Sequence, residues 1–148
     1  MQQAYKYAIF YFLAFSLLLL GSSVLLLENK IGFSVSSVLE YYLGNEEKFL
    51  VEKSWSTILK IILPHIFAFG LFFMVVLHFV LFTKHKTSKL FIRLIYAIFF
   101  MGFLEMFSPY FIILGLDFFA YVKLISFISL ELLLLYTFWL LLSSIFQD

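Results

Sequence analysis

No cysteine occurs among the 148 residues. That absence excludes disulfides, thiolate metal sites, covalently attached c-type haem and S-acylation together. Charge is scarce as well: 13% of the residues are Asp, Glu, Lys or Arg against 64% hydrophobic, and mean hydropathy is +1.08. A water-soluble domain of this length would lack the polar surface to stay in solution. The chain also carries no Gly-rich phosphate loop, no His-Glu-x-x-His helix, no nucleophile motif and no basic patch interleaved with aromatics. Soluble-enzyme chemistry and nucleic-acid binding are therefore not expected.

Long apolar runs are what the chain has instead. Residues 8–27 contain no charged side chain, and further runs follow at 58–83, 90–108 and 118–146. About 20 apolar residues in a helix cross a hydrocarbon core of about 30 Å, so each run is long enough to span. Lipid offers no hydrogen-bond partner to an open backbone, and unbroken runs rather than alternating ten-residue segments select helix over barrel. The predicted fold is all-α: an integral membrane four-helix bundle forming one domain over 1–148. The first run reads as a retained anchor, because Glu28-Asn29-Lys30 offers no small-residue cleavage site. The 22 phenylalanines read as lipid-facing and core filling.

The net charge of +1 says less than its distribution. Lys84, Lys86, Lys89 and Arg93 crowd the short second connection, whereas the first loop, 28–55, mixes three lysines with five glutamates. By the positive-inside rule the basic turn is cytoplasmic, both termini lie inside with Lys6 in agreement, and loop 28–55 is outside. Lys60 and Lys123 read as charges at the outer helix ends that oppose this bias. Within the outer loop Phe33, Val35, Val38, Leu39 and Tyr42 fall at helical spacing between a capping Ser34 and Gly44-Asn45. They predict a short amphipathic helix on the membrane surface. Tyr41, Tyr42 and Trp55 suit the headgroup level. A cap over the bundle is the plain reading of this helix, and a docking surface for a partner the sharper one.

Chemistry, if present, rests on the ionisable groups inside the spans, which face a bundle interior or a cavity in membrane proteins. His65 and His78 lie thirteen residues apart in the second span, about 20 Å along a helix and roughly 220° around it. One imidazole per leaflet suggests axial ligation of b-type haem. Met101 and Met106 are weaker candidates for a second ligand, and His85 lies in the cytoplasmic turn. A homodimer is the other source of paired histidines. Hydrogen bonding between helices accounts for the same residues without a cofactor. Pro64 either kinks the second helix or marks its start, and a start there would leave His65 at the interface. Glu105, Glu131 and His65 fall at comparable depth. As a cluster they suit a divalent metal, a proton relay or a quinone carbonyl. A neutral Glu131 bridging helices is the structural alternative.

Ile31-Gly32-Phe33, Tyr41-Tyr42-Leu43-Gly44-Asn45-Glu46-Glu47, Pro64-His65-Ile66-Phe67 and His78-Phe79 together resemble a group of small, largely uncharacterised bacterial four-span inner-membrane proteins. The resemblance covers residues 31–82 and implies a bacterial inner membrane and a role for the histidines, with no activity attached.

The expectation from sequence is a small subunit of a haem or quinone electron-transfer system, with His65 and His78 as ligands, rather than an enzyme on its own. Alternatives are a non-catalytic accessory subunit of a larger complex and a metal or proton pathway through His65, Glu105 and Glu131. Partners are the bilayer and other membrane subunits or a second copy. Orientation is checked by thiol labelling, for which the absence of native cysteine is convenient. Cysteine at Asn45 is expected to react with an impermeant reagent in intact cells, and cysteine at Thr87 only after lysis; the opposite pattern overturns the orientation.

Overall fold

The computed structural model describes residues 3–83 and 88–146, the side chain of Ile145 apart; Lys84, His85, Lys86 and Thr87 of the basic turn lie outside the described residues. In chain order come α1 (Gln3–Lys30), α2 (Val35–Leu43), α3 (Trp55–Val80), α4 (Lys89–Ile113) and α5 (Phe118–Phe146). All but α2 have the length and apolar composition to cross a membrane. Among the described residues there is no strand, only an isolated bridge between Asn45 and Leu50. The chain is an all-α membrane helical bundle, as its apolar runs predict.

Helix ends depart from the runs where polar caps extend the backbone beyond the apolar stretch. The second span was expected to start at 58, but Ser54 accepts the Thr57 N–H and α3 begins at Trp55. It ends at Val80 rather than 83, because the N–H groups of Leu81, Phe82 and Thr83 bond three residues back and tighten the chain into a turn. The third span was expected to stop at 108, before Pro109. Instead α4 runs through Pro109 to Ile113.

The short helix forms where Ser34 and Gly44 predict it. The Ser34 side chain accepts the Ser37 N–H at 3.0 Å, and the Ser37 hydroxyl accepts the Ser34 N–H at 3.2 Å, a reciprocal cap. Gly44, at φ +86°, closes the helix with an N–H bond to the Glu40 carbonyl at 3.0 Å. The chain then folds back on itself. Asn45 and Leu50 exchange backbone hydrogen bonds, and the Lys53 N–H reaches the Tyr42 carbonyl at 2.9 Å. On the helix surface Lys48 pairs with Glu40 at 2.7 Å, and this hydrogen bond holds the Glu40 carboxyl below its ordinary pKa.

Two apolar clusters fill the bundle. One, through the middle and the end bearing the α3–α4 connection, includes Ile9, Phe73, Val76, Ile98, Leu134 and Leu141. The other, at the α2 end, gathers Val38, Tyr42, Ile58, Ile62, Ile112 and Leu124. α2 is thus seated on the ends of α4 and α5. Tyr42, expected at the headgroup level, is only 2% exposed. It falls on the same helical face as Val38, which α2 turns inward. α4 and α5 pack together most extensively, α3 lies along α4, and α1 rests on α5. Phe73 reaches the surface of α4 at Gly102, where an added Cβ would stand 2.9 Å from the ring.

Gly44 gives a direct check of this geometry. A Cβ there would lie 2.8 Å from both the Leu50 carbonyl oxygen and the Glu52 nitrogen, at a φ that L side chains rarely adopt. Gly44→Ala is expected to cost about 1–3 kcal/mol. It should lower the melting midpoint followed by circular dichroism, whereas Gly21→Ala, with nothing within 4 Å of the new atom, should not. Equal midpoints for Gly44→Ala and the parent chain would contradict the turn.

Candidate functional site

Proline has no N–H, so Pro109 cannot bond the carbonyl four residues before it in α4, and that carbonyl belongs to Glu105. Lys123 of α5 takes the vacant place. Its ammonium donates to the Glu105 carbonyl at 3.0 Å and also forms an ion pair with the Glu105 carboxylate. Both residues are buried, Glu105 at 8% and Lys123 at 6% exposure. One side chain thereby satisfies the backbone group that the proline frees and the charge beside it. Lys123, expected as a charge at the outer helix end, is instead an interior group, because the proline and the acid together supply its partners. Burial, then the negative charge of Glu105, raise the pKa of the Tyr42 hydroxyl on α2, which stays protonated.

Glu131, one level deeper on α5, has a partner that the sequence reading did not identify. The Ser23 hydroxyl of α1 lies 2.5 Å from Glu131 Oε1 and 2.7 Å from the Leu20 carbonyl. This contact ties α1 to α5. The signal was Gly21-Ser22-Ser23, the small polar interruption in the first apolar run, which on a helix interface is a site for interhelical hydrogen bonds.

His65 lies ten residues past Trp55, about 15 Å along α3. Pro64 is therefore inside the helix, and of the two alternatives for it, a position within the helix or the helix start, the Ser54 cap selects the first. Nδ1 of His65 lies 2.6 Å from the Ile61 carbonyl oxygen. A carbonyl only accepts, so Nδ1 carries the hydrogen and, in the neutral ring, Nε2 presents a lone pair.

His65, Glu131, Glu105 and Lys123 line one cavity of about 650 Å³ bounded by α1, α3 and α5, with Tyr41 and Tyr42 of α2 at its end. Its shape follows from how α1 leans. Toward the α3–α4 connection α1 meets α3 through Phe12, which packs against the rings of Phe72 and Phe79, and through Tyr5, stacked on Phe82 at 5.4 Å. Toward α2 the two helices part, leaving Leu19 and Leu26 of α1 and the His65 face of α3 exposed. The result is a wedge, closed by aromatics below and open between α1 and α3 above.

The remaining candidates lie elsewhere. His78 is exposed at the far end of α3, its ring edge-on to Phe82 at 5.3 Å. Met101 packs half-buried against the central core and Met106 is half-buried on α4; neither lines the cavity. The structure brings His65, Glu105 and Glu131 to the same cavity, with Glu105 engaged by Lys123 and Glu131 by Ser23. Among the described residues no three of His, Cys, Asp and Glu are grouped to hold a metal ion.

The Glu105–Lys123 pair makes a quantitative expectation possible. Lys123→Met leaves a carboxylate and a carbonyl buried without their donor and is expected to cost about 3–5 kcal/mol. The double variant Glu105→Met/Lys123→Met removes both charges and should be more stable than the Lys123→Met single. Additive losses in denaturant-induced unfolding would show that the two side chains do not interact.

A family model described as a transmembrane helical domain, Aq_1264_TM, matches residues 32–148. The matched residues hold α2 to α5, while α1, which supplies Ser23 and one wall of the cavity, precedes them. No curated protein and no solved structure gives a significant match to the chain.

Proposed function

The chain belongs to the Aq_1264_TM family of transmembrane helical domains, and from that premise we propose that it is a small subunit of a membrane electron-transfer system that holds a quinone in the cleft between α1 and α3. One observation carries the reading. His65 and Glu131 face a cavity of about 650 Å³ whose deeper wall is apolar, with Phe69, Phe72, Leu130 and Leu134. Small-molecule sites fall at about 300–1,000 Å³ and combine apolar walls with a few placed polar groups. A quinone has that profile, an apolar ring and tail with two polar oxygens at the head. Nε2 of His65 suits a quinol hydroxyl as acceptor, because Nδ1–H is already committed to Ile61. A carboxyl group at Glu131 accepts from a hydroxyl or, when protonated, donates to a carbonyl.

Ligation of b-type haem is a more demanding version of the same proposal. His65 and His78 lie about 20 Å apart by helix rise, and among the described residues the cleft is lined by one histidine and no methionine. A second copy or another subunit would have to bring the second axial ligand, whereas a quinone head needs only groups already in the cleft. A second reading, a non-catalytic accessory subunit, is favoured by the Glu105–Lys123 pair, which is satisfied within the chain and so suits a purely structural part. For location we propose the bacterial inner membrane, with α2 on the outer side and both termini inside.

Quenching of tryptophan fluorescence by a short-tailed quinone tests the proposal. Saturable quenching is expected, weakened about fivefold by His65→Ala or Glu131→Leu, the equivalent of one hydrogen bond of about 1 kcal/mol, and left unchanged by His78→Ala. An intense Soret band in the purified protein would support haem instead. Colourless protein with no saturable quenching would overturn both and leave the accessory reading.

A further inference from the structure

We propose that the rim of the cleft binds the phosphate of an anionic phospholipid, whose acyl chains enter the gap between α1 and α3. Lys30 is the last residue of α1 and Lys60 lies in the second turn of α3; both are exposed and both line the cavity. The Tyr41 ring, which lines the same cavity, carries a further cation, the Lys53 ammonium 4.4 Å from its centre, although Lys53 itself does not line the cavity.

Charge balance distinguishes Lys30 and Lys60 from Lys48 and Lys123, and lining the cavity distinguishes them from the lysines elsewhere. Lys48 is paired with Glu40 and Lys123 with Glu105, but among the described residues neither Lys30 nor Lys60 has an ion-pair partner. The two acids that line the cavity lie deeper and are engaged by Lys123 and Ser23. Glu28 and Glu52, close in sequence, do not line it. The rim is thus a cationic site at the ends of two spanning helices, the level at which a bilayer presents phosphodiesters. Beneath it the walls are apolar at Leu26, Ala68 and Phe69 and open sideways, as acyl chains require. A lysine near an anionic lipid surface contributes about 1 kcal/mol, a factor of about five.

This inference concerns the same cavity as the quinone proposal but other polar groups, since that proposal uses His65 and Glu131 and neither lysine. Native mass spectrometry of the detergent-purified chain, loaded with equal phosphatidylglycerol and phosphatidylcholine of identical chains, tests it. Phosphatidylglycerol is expected to be retained at least about fivefold over phosphatidylcholine. Lys30→Gln and Lys60→Gln should each reduce the preference, the double variant should abolish it with helical content intact, and Lys48→Gln should leave it unchanged. An excess of inorganic phosphate should not displace the lipid. Equal retention of the two lipids, a preference surviving in the double variant, or displacement by inorganic phosphate, which would mean a site for free anion, would each overturn the proposal.

Discussion

The bundle depends on how one lysine answers two unsatisfied groups. In water a proline inside a helix costs about 3 kcal/mol through the lost hydrogen bond and the clash of its ring with the preceding turn, but solvent covers the freed carbonyl. In a bilayer there is no such cover, and an unpaired carbonyl costs several kcal/mol. Pro109 creates that problem in α4, and Glu105 adds a buried charge at the very residue whose carbonyl is freed. Lys123 resolves both with one ammonium, which fixes the depth and rotation of α5 against α4. A buried ion pair is weak support for stability when compared with well-packed apolar residues, but removal of one partner is severe. What it adds is a preference for register, since of the many ways two apolar helices can slide past one another in lipid only some keep the ammonium against both its partners.

That register positions everything at the α2 end. With α4 and α5 locked, Ile112, Ala120 and Leu124 form the seat into which Val38 and Tyr42 of α2 pack. The loop after α2 returns through Gly44 and the Asn45–Leu50 bridge to the Ser54 cap that starts α3. α1 is held differently, by the Ser23–Glu131 contact and by aromatic packing at the opposite end. It therefore leans away from α3 where the polar groups lie. The cleft is a consequence of that lean, and the polar groups facing it are the ones whose hydrogen bonds are made within single helices or across to α1 and α4.

Spanning helices were legible in the sequence because a bilayer imposes length and apolarity residue by residue, and α2 was legible because Ser34 and Gly44 are local caps. The same local logic, applied to Pro109 alone, ended α4 five residues early: a proline breaks a helix unless something satisfies the carbonyl it frees. That donor lies 18 residues away in sequence across a turn, beyond any helical periodicity. Pro64 left the start of α3 open, a question that the Ser54 cap decides. Glu105 and Glu131 were singled out as costly groups inside the spans, and each has a partner in the bundle. The partners were missed because Lys123 looked like an interfacial charge and Ser23 like an inert member of an apolar run. His65 and His78 were singled out by their spacing along one helix, and the contacts of each, with Ile61 and Phe69 and with Phe82, stay on α3 and the turn after it; only His65 borders the cleft.

The central claim is that Lys123 and Glu105 are in contact inside the bundle. It is tested most directly by solid-state NMR in lipid bilayers, through dipolar recoupling between lysine 15Nζ and glutamate 13Cδ. The account predicts a lysine–glutamate contact at ion-pair range, about 4 Å or less, that disappears in Lys123→Met while the contact removed by Lys48→Gln persists. A spectrum in which Lys123→Met removes no contact would contradict it.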